Sequence, residues 1–307
     1  MDSVIIIRKD SDSQKNISKL VRIMSSSKGL RVISISSQDK AMSLPQALLP
    51  LDDEYNISSE ESTSLKRVIG IQDDNELKQH LLSVRTEAYA VGFGSDSRII
   101  IADGYPLENV ITSDLYSDYW TIGHKLFKTT PETFPVPFLQ GDIFDPNFLQ
   151  PGVPALDTSS QIIDSPPSLT NLMSLTPLQH HISVIYTSSF FHLFGEDEQF
   201  KLAHLFASLL SPLPGSIIFG SHNGASDTKG DKPRRTGLTT GDKFIFAHSP
   251  ASWKELWTDK NGPFSPEQVS VRVEVIIAER KDIDTAGMFI LEQPYIAYRH
   301  IWSVTRR

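Results

Sequence analysis

The sequence predicts an α/β fold built on a mostly parallel sheet with an antiparallel strand at its C-terminal end. Three observations lead there. From residue 99 onward, short apolar runs alternate with stretches of helical spacing, the pattern of strands joined by crossover helices. Two of those runs end on an acidic residue, Asp114 and Asp142, as strand tips do at the ligand-binding edge of an open sheet. Near the C-terminus Val269, Val271, Val273, Val275 and Ile277 alternate cleanly, a strand with one wet face, and Tyr295 to Thr305 reads as a last strand.

Composition narrows the function. A chain of 307 residues can bury a large core, and one elaborated domain is the natural reading. The net charge of −8, with no basic stripe, argues against a nucleic-acid partner. No apolar run approaches membrane-spanning length, and MDSVIIIRKD is too short and wrongly charged for a secretory signal. The absence of cysteine excludes disulfides, thiolate catalysis and cysteine-bound metal, and fits a reducing compartment, so a cytoplasmic location is expected. The expected partner is a small-molecule substrate, with no membrane and no nucleic acid.

Residues 1–48 read as an extension with two β-like runs, Ser3 to Ile7 and Leu30 to Ile35, and a helical run from Asn16 to Met24 between them. Residues 49–307 read as the main domain. Its polar lead-in, 49–70, precedes a helix capped by Asp73 and Asp74, with Leu77, Leu81, Val84, Ala88 and Val91 on one face. Gly92 and Gly94 follow. They suit either the C-terminus of that helix or a glycine loop that lets backbone approach a ligand.

The stretch from Gly104 to Pro146 carries the most information. Asn109 to Ser113 is a strand ending on Asp114; Tyr119, Trp120, Gly123, Leu126 and Phe127 mark a helix; Val136 to Leu139 is a second strand ending on Gly141-Asp142. Pro135 and Pro137 bracket that second strand and place it at a sheet edge, since proline cannot donate to a ladder. A carboxylate at one tip can accept both hydroxyls of a ribose, and one at the next tip can accept from an adenine amino group. Gly141 would leave room for the base, and Ile143 and Phe144 would wall it. Loop aspartates after strands are also common, and from the pattern alone a nucleoside ligand and a plain turn stand about level.

Downstream, 147–181 reads as a loop with a short helix near Ser168 to Leu175. Ile182 to Thr187 is a buried strand with Ser188-Ser189-Phe190-Phe191-His192 at its tip. Leu202, Leu205, Phe206 and Leu209 mark a helix that stops at Ser211-Pro212, and Ser216 to Phe219 is the next strand. Residues 221–243 read as a loop. Ser249 caps a helix with Pro250 at its first position and Trp253, Leu256 and Trp257 inward.

SDL at 113–115, GHKLF at 123–127, GDIFDP at 141–146, SSFFHLF at 188–194, PGSIIFG at 214–220 and RTGLTTGDKFIFAHSPASWKELW at 235–257 together resemble a fungal family of S-adenosylmethionine-dependent O-methyltransferases of secondary metabolism. The likeness runs from Pro50 to the C-terminus. It implies a Rossmann-like class I methyltransferase sheet, S-adenosyl-L-methionine as cofactor, and a carboxyl or hydroxyl acceptor on a meroterpenoid or polyketide. It also implies cofactor contacts from Gly94, Asp96, Asp114, Leu115, Asp142, Ile143 and Ser188, an acceptor pocket lined by the SSFFH turn and Arg235 to Thr240, and a homodimer left open; Arg85, on the polar side of the 74–91 helix, reads as a solvated arginine or else as a contact to the methionine carboxylate. His192 is the candidate base for a hydroxyl acceptor, or else a packing residue among Phe190, Phe191 and Phe194. No metal is expected, because His180-His181 lacks a carboxylate cluster at ligand spacing.

One departure stands out. The family's hydrophobic first strand and acidic glycine loop, with their lead-in, roughly forty residues or about one βα unit, are not found before Phe93. That strand is central, so its loss strips ladder bonds from both neighbours unless another segment, with Leu30 to Ile35 the candidate, takes its place. The alternatives are then an active methyltransferase, a non-catalytic or impaired relative that has lost the cofactor loop, and a nicotinamide oxidoreductase. The last is weak, because no G-x-G-x-x-G opens a helix after a strand.

Overall fold

The computed structural model describes residues 4–7, 59–88, 94–155, 167–226, 235–236, 245–280 and 295–307. The expectations for Asn16 to Met24, Leu30 to Ile35, Gly92 and 237–240, and for the side chains of Val84, Arg85 and Arg235, lie outside what it describes.

A seven-stranded sheet forms the middle layer. In chain order its strands are β1 (Val4–Ile7), β2 (Val110–Asp114), β3 (Phe138–Gln140), β4 (Val184–Ser188), β5 (Ile217–Gly224), and two further strands after a small ladder of β6 (Arg235–Thr236) with β7 (Ile245–Phe246). Those last two are β8 (Val269–Arg280) and β9 (Tyr295–Arg306). Across the sheet the order is β3-β2-β1-β4-β5-β9-β8. The proline-bracketed β3 is an edge, as its sequence requires.

The slot between β2 and β4 is filled by β1, at the start of the chain rather than by the expected 30–35 run. It pairs antiparallel on both sides, Ile5 standing opposite Thr112 and Tyr186, and Ile7 opposite Val110 and Val184. The expectation of a mostly parallel sheet is corrected accordingly. Strands β2, β3, β4, β5 and β8 share one direction, but only β2–β3 and β4–β5 are hydrogen-bonded parallel pairs. The other interfaces are antiparallel because β1 and β9 run against their neighbours. The right-handed crossover rule binds only parallel neighbours, so it places no constraint on the antiparallel β1–β2 connection.

Helices cover both faces. They are α1 (Ser59–Ile69), α2 (Asp74–Ala88), α3 (Ser95–Ala102), α4 (Ser117–Leu126), α5 (Glu196–Leu209) and α6 (Pro250–Thr258). The polar lead-in contains α1, whose Leu65 and Ile69 pack with Leu77, Leu126 and Phe127. Alternation along β4 sorts the two cores: Val184 and Tyr186 join Ile100, Val110 and Phe219 on one face, and Ile185 joins Leu202, Phe206, Trp253 and Trp302 on the other. Both faces of β2 and β4 are buried, as expected of strands under two helical layers.

Caps hold where the sequence places them. Asp73 Oδ1 accepts from Glu76 N at 2.9 Å, and Ser249 Oγ accepts from Ser252 N at 3.2 Å with Pro250 opening α6. The helix expected near 168–175 is instead a 3-10 turn at Thr176–Leu178. β5 runs on to Gly224, into the stretch read as loop, because β9 pairs with it as far as Gly224 opposite Tyr298.

Replacing Ile6 with proline tests the central slot. An interior strand residue that loses its N–H leaves a buried carbonyl unpaired, at a cost of about 1–3 kcal/mol. Thermal melts should show a clearly lower Tm, whereas an unchanged Tm would mean that β1 contributes nothing to the sheet.

Candidate active site

Asp114 is buried at the tip of β2, and its Oδ1 accepts from Tyr116 N at 2.9 Å. Asp142, just past β3, is exposed and repeats the arrangement, with Oδ1 accepting from Phe144 N at 2.9 Å. Each carboxylate is thus oriented by the backbone two residues on, the turn that aspartate forms after a strand. The two tips are stitched together: Gly141 N donates to Asp114 O at 3.0 Å, and Gln140 Nε2 donates to Leu115 O at 3.2 Å. Leu115 and Tyr116 stand exposed beside Asp114. Burial, and then the charges of Asp114 and its neighbours, push the Tyr119 phenol up, so it stays protonated.

The space beside Gly141 is already taken. A Cβ there would lie 2.2 Å from the Phe148 ring, so this glycine serves the packing of Phe148 rather than leaving room for a base. Ile143 and Phe144 are half-buried against the core. Phe144 meets Phe194 edge-on at 5.3 Å, and Phe194 meets Phe190 at 5.1 Å. This aromatic run joins the β3 tip to the segment after β4.

At the β4 tip Ser188 Oγ lies 2.8 Å from Ser221 Oγ, and the Arg299 Nη2 group donates to Ser221 Oγ at 2.6 Å and to Ser188 Oγ at 3.4 Å. Ser189 takes a left-handed conformation, φ 52°, and turns the chain into the 3-10 segment Phe191–Leu193 that carries His192. Burial and then the Arg299 guanidinium push His192 down to about 4. Its Nδ1 has no partner among the described residues.

The structure therefore brings Asp114, Leu115, Asp142, Ile143, Ser188 and His192 to one edge of the sheet. Gly94 and Asp96 open α3 instead. Gly94 is left-handed, φ 63°, and a Cβ would fall 2.5 Å from the Trp120 ring of α4. Its carbonyl accepts from Ser97 Oγ at 2.7 Å and Arg98 Nη1 at 3.1 Å. Arg98 is boxed by the rings of Trp120, Phe127 and Phe134 at 4.6–4.8 Å, and burial lowers it to about 10.

Sequence reasoning missed a second set of polar groups behind the β4 and β5 tips. His222 of β5, His248 before α6 and His300 of β9 are all buried; His222 and His248 pack on Trp253, and His300 packs on His222. The signal was faint: a histidine within a strand end and another just before a helix cap look like ordinary loop residues. Among the described residues no group of three or more ligating side chains could hold a metal.

The model of a meroterpenoid methyltransferase N-terminal domain matches residues 51–92. Similar curated proteins include O-methyltransferase phiE of Fungal sp. strain ATCC 74256, 31% identical over 164 residues, covering 53% of this chain and 45% of the relative. Methyltransferase adrK of Penicillium rubens is 28% identical over 54% of this chain and 49% of its own. The asnovolin E/chermesin D methyltransferase nvfJ of Aspergillus novofumigatus is 28% identical over the same shares. Over about half of its length the chain is thus similar to fungal proteins named as methyltransferases. It spans about half the length of the curated relatives it matches. The family model's match covers α1 and α2 and ends at Gly92, where a glycine loop would begin.

The buried histidines set an acid limit on the fold. His248 is pushed down to about 3 by burial and then by His300, and His222 is also well below its ordinary value, while half-buried His192 sits near 4. Above roughly pH 6.5 these rings are neutral whether folded or not, and their contribution is constant. Below it the unfolded chain binds protons that the folded one refuses. Stability then falls toward pH 4, by about 1.4 kcal/mol per pH unit for each fully buried ring. Thermal melts should show a Tm that is level above about pH 6.5 and drops steeply below it, with a shallower drop in His248→Gln. A Tm flat down to about pH 5 would contradict the buried, neutral assignment.

Proposed function

We propose that this protein is an S-adenosylmethionine-dependent O-methyltransferase acting on a carboxyl or hydroxyl group of a small molecule in fungal secondary metabolism. The observation that carries the reading is the pair of carboxylates, Asp114 and Asp142, held in the same turn geometry on adjacent parallel strand tips. On this reading the sheet is a Rossmann-like class I methyltransferase sheet, supported by β3 at one edge and the antiparallel β9–β8 pair at the other. Residues 49–307 form the methyltransferase-like domain and residues 1–48 an extension that lends it a strand. The protein works in the cytoplasm, alone or as a homodimer, without nucleic acid or membrane.

The residues fit the nucleoside half of the cofactor. Asp114 would hold the ribose hydroxyls, Asp142 the adenine amino group, with Leu115, Ile143 and Ser188 beside them. Bound, the cofactor supplies an electrophilic methyl group: a C–O bond forms to the acceptor, the S–C bond breaks, and a neutral thioether leaves. The chain's own work is to position the acceptor oxygen and exclude water. A carboxylate acceptor suits this site better than a hydroxyl. His192, at about 4, is neutral but too weakly basic to be matched to an alcohol proton at neutral pH.

A second reading, an impaired or non-catalytic relative, has its own support. β1 fills the central slot backwards, so the chain leaves it at Ile7, on the edge away from Asp114. A loop leaving β1 therefore starts at the far edge of the sheet from Asp114. The space a Cβ would occupy at Gly94 is filled by Trp120. On this reading the cofactor binds through its nucleoside half only, and turnover is slow or absent.

Calorimetry with S-adenosylmethionine separates the readings. Replacing Asp114 with Ala should weaken binding by about 1.5–3 kcal/mol, roughly ten- to a hundredfold, the range for a charged hydrogen bond. An unchanged Kd would remove Asp114 from the site. Micromolar binding with full methyl transfer by the unaltered chain would reject the impaired reading, and tight binding without transfer would favour it.

A further inference from the structure

Strand β8 is an outer edge of the sheet, and it is long, regular and apolar. It pairs one for one with β9, from Val269 opposite Arg306 to Arg280 opposite Tyr295, with no bulge. Among the described residues no strand lies on its other side. Proteins usually blunt such an edge with proline, lysine, a bulge or shortness, and the 12 residues of β8 use none of these. Val275, Ile276 and Ile277 are exposed on it instead.

The ladder shows which backbone groups face outward. Arg307 N donates to Gln268 O at 3.0 Å, so Gln268 faces β9. Arg306, which stands opposite Val269, turns the other way: its N donates to Ser216 O at 2.8 Å, and its O accepts from Gly215 N at 3.0 Å. Backbone direction alternates along a strand. The N–H and C=O groups of Val269, Val271, Val273, Val275 and Ile277 therefore point away from β9. The side chains of these same residues share one face. Val269 is buried and Val271 and Val273 pack against the core, whereas Val275 and Ile277 run on beyond it.

A second, antiparallel copy of β8 fits this edge. Outward groups must meet outward groups, so a two-fold axis passes through a residue position and not between two. Only the axis through Val273 pairs the whole apolar run, 269–277, with itself. Moved one residue either way, the axis sets Arg272 against Arg272 or Glu274 against Glu274, a repulsion. At Val273 it sets Arg272 opposite Glu274 of the second copy, twice. Both are exposed, and they fall in the pairs without hydrogen bonds, where side chains stand closest. The same register lays exposed Val275 and Ile277 opposite Val271 and Val269 of the second copy, where that strand's face is packed on its own core.

We infer that β8 is a homodimer interface, in which two copies of this chain join antiparallel and edge to edge on a two-fold axis at Val273. One sheet then runs through both copies, and the outward groups of the edge exchange main-chain hydrogen bonds. A self-complementary contact of this kind closes on itself and builds no filament. Because β8 runs in the same direction as β2 to β5, the two sets of strand tips face opposite ways.

Sedimentation velocity of the full chain over a micromolar concentration series tests this. The chain should approach twice its mass of 34.3 kDa. Arg272→Glu and Glu274→Arg, both at exposed positions, should each raise the dimer Kd at least about tenfold, since like charges directly opposite repel. The double exchange should restore it. The protein has no cysteine, so Val273→Cys adds a single thiol. Mild oxidation of that variant should give a covalent dimer, because opposed positions stand about 5.5 Å apart, within disulfide reach. Val271→Cys, whose twin lies several residues away across the axis, should give none. The charge variants decide the matter even if Val273→Cys does not fold. A chain that stays monomeric, a dimer indifferent to both charge reversals, a double exchange that fails to restore association, or equal cross-linking of the two cysteine variants would overturn the proposal. Amide protection along β8 in a monomer would assign the edge to another segment of the chain.

Discussion

The structure depends on how the gap between β2 and β4 is closed. Both neighbours are buried on both faces, so each would carry a row of unpaired N–H and C=O groups if the slot were empty. Four residues at the start of the chain close it. They pair with Val110 to Ser113 on one side and with Val184 to Tyr186 on the other. The ladder is restored, and with it the common edge on which the tips of β2, β3 and β4 stand.

Direction is what the repair does not restore. An antiparallel strand supplies the same hydrogen bonds but exits from the opposite edge. Among the described residues, no loop follows a parallel strand out of this slot towards the tips of β2 and β4. Among the described residues, the candidate glycines are engaged in packing, Gly94 against Trp120 and Gly141 against Phe148. The strand tips themselves are intact, because their geometry is local. Asp114 and Asp142 are each held by the backbone two residues on, and this survives whatever lies in the next slot. The half of the site made from local turns is thus separable from the half made by the central strand.

Behind the tips, the aromatic core and the polar cluster share their residues. Phe191 packs against Phe206, Trp253, Trp257 and Trp302, and the same Trp253 and Trp302 hold His222. Burial in this aromatic packing disfavours the charged form of His222 and His248, and the Trp302 N–H fixes which nitrogen of His222 carries the proton. Their acid sensitivity has the same cause, which is burial without a compensating carboxylate.

What the sequence determined by itself was local. Period-3.6 and period-2 patterning placed α2, α4, α5, α6 and strands β2 to β5, β8 and β9 within a few residues, because each buries its apolar face wherever the neighbours stand. Pro135 and Pro137 told that β3 is an edge, since a missing donor acts within the residue that lacks it. Asp114, Asp142, Ser188 and His192 were legible as strand-tip residues for the same reason. The tertiary structure alone decided three things. It chose Val4–Ile7 for the central slot, and its direction, which depend on pairings more than a hundred residues apart. It gave the space beside Gly94 and Gly141 to aromatic rings, which no spacing rule encodes. It gathered His222, His248 and Trp253 from separate elements into one buried set, and brought exposed Arg299 of the last strand to Ser188 and Ser221. Chemistry carried by a single turn can be read along a chain, whereas chemistry made by convergence of distant segments exists only once the chain has folded.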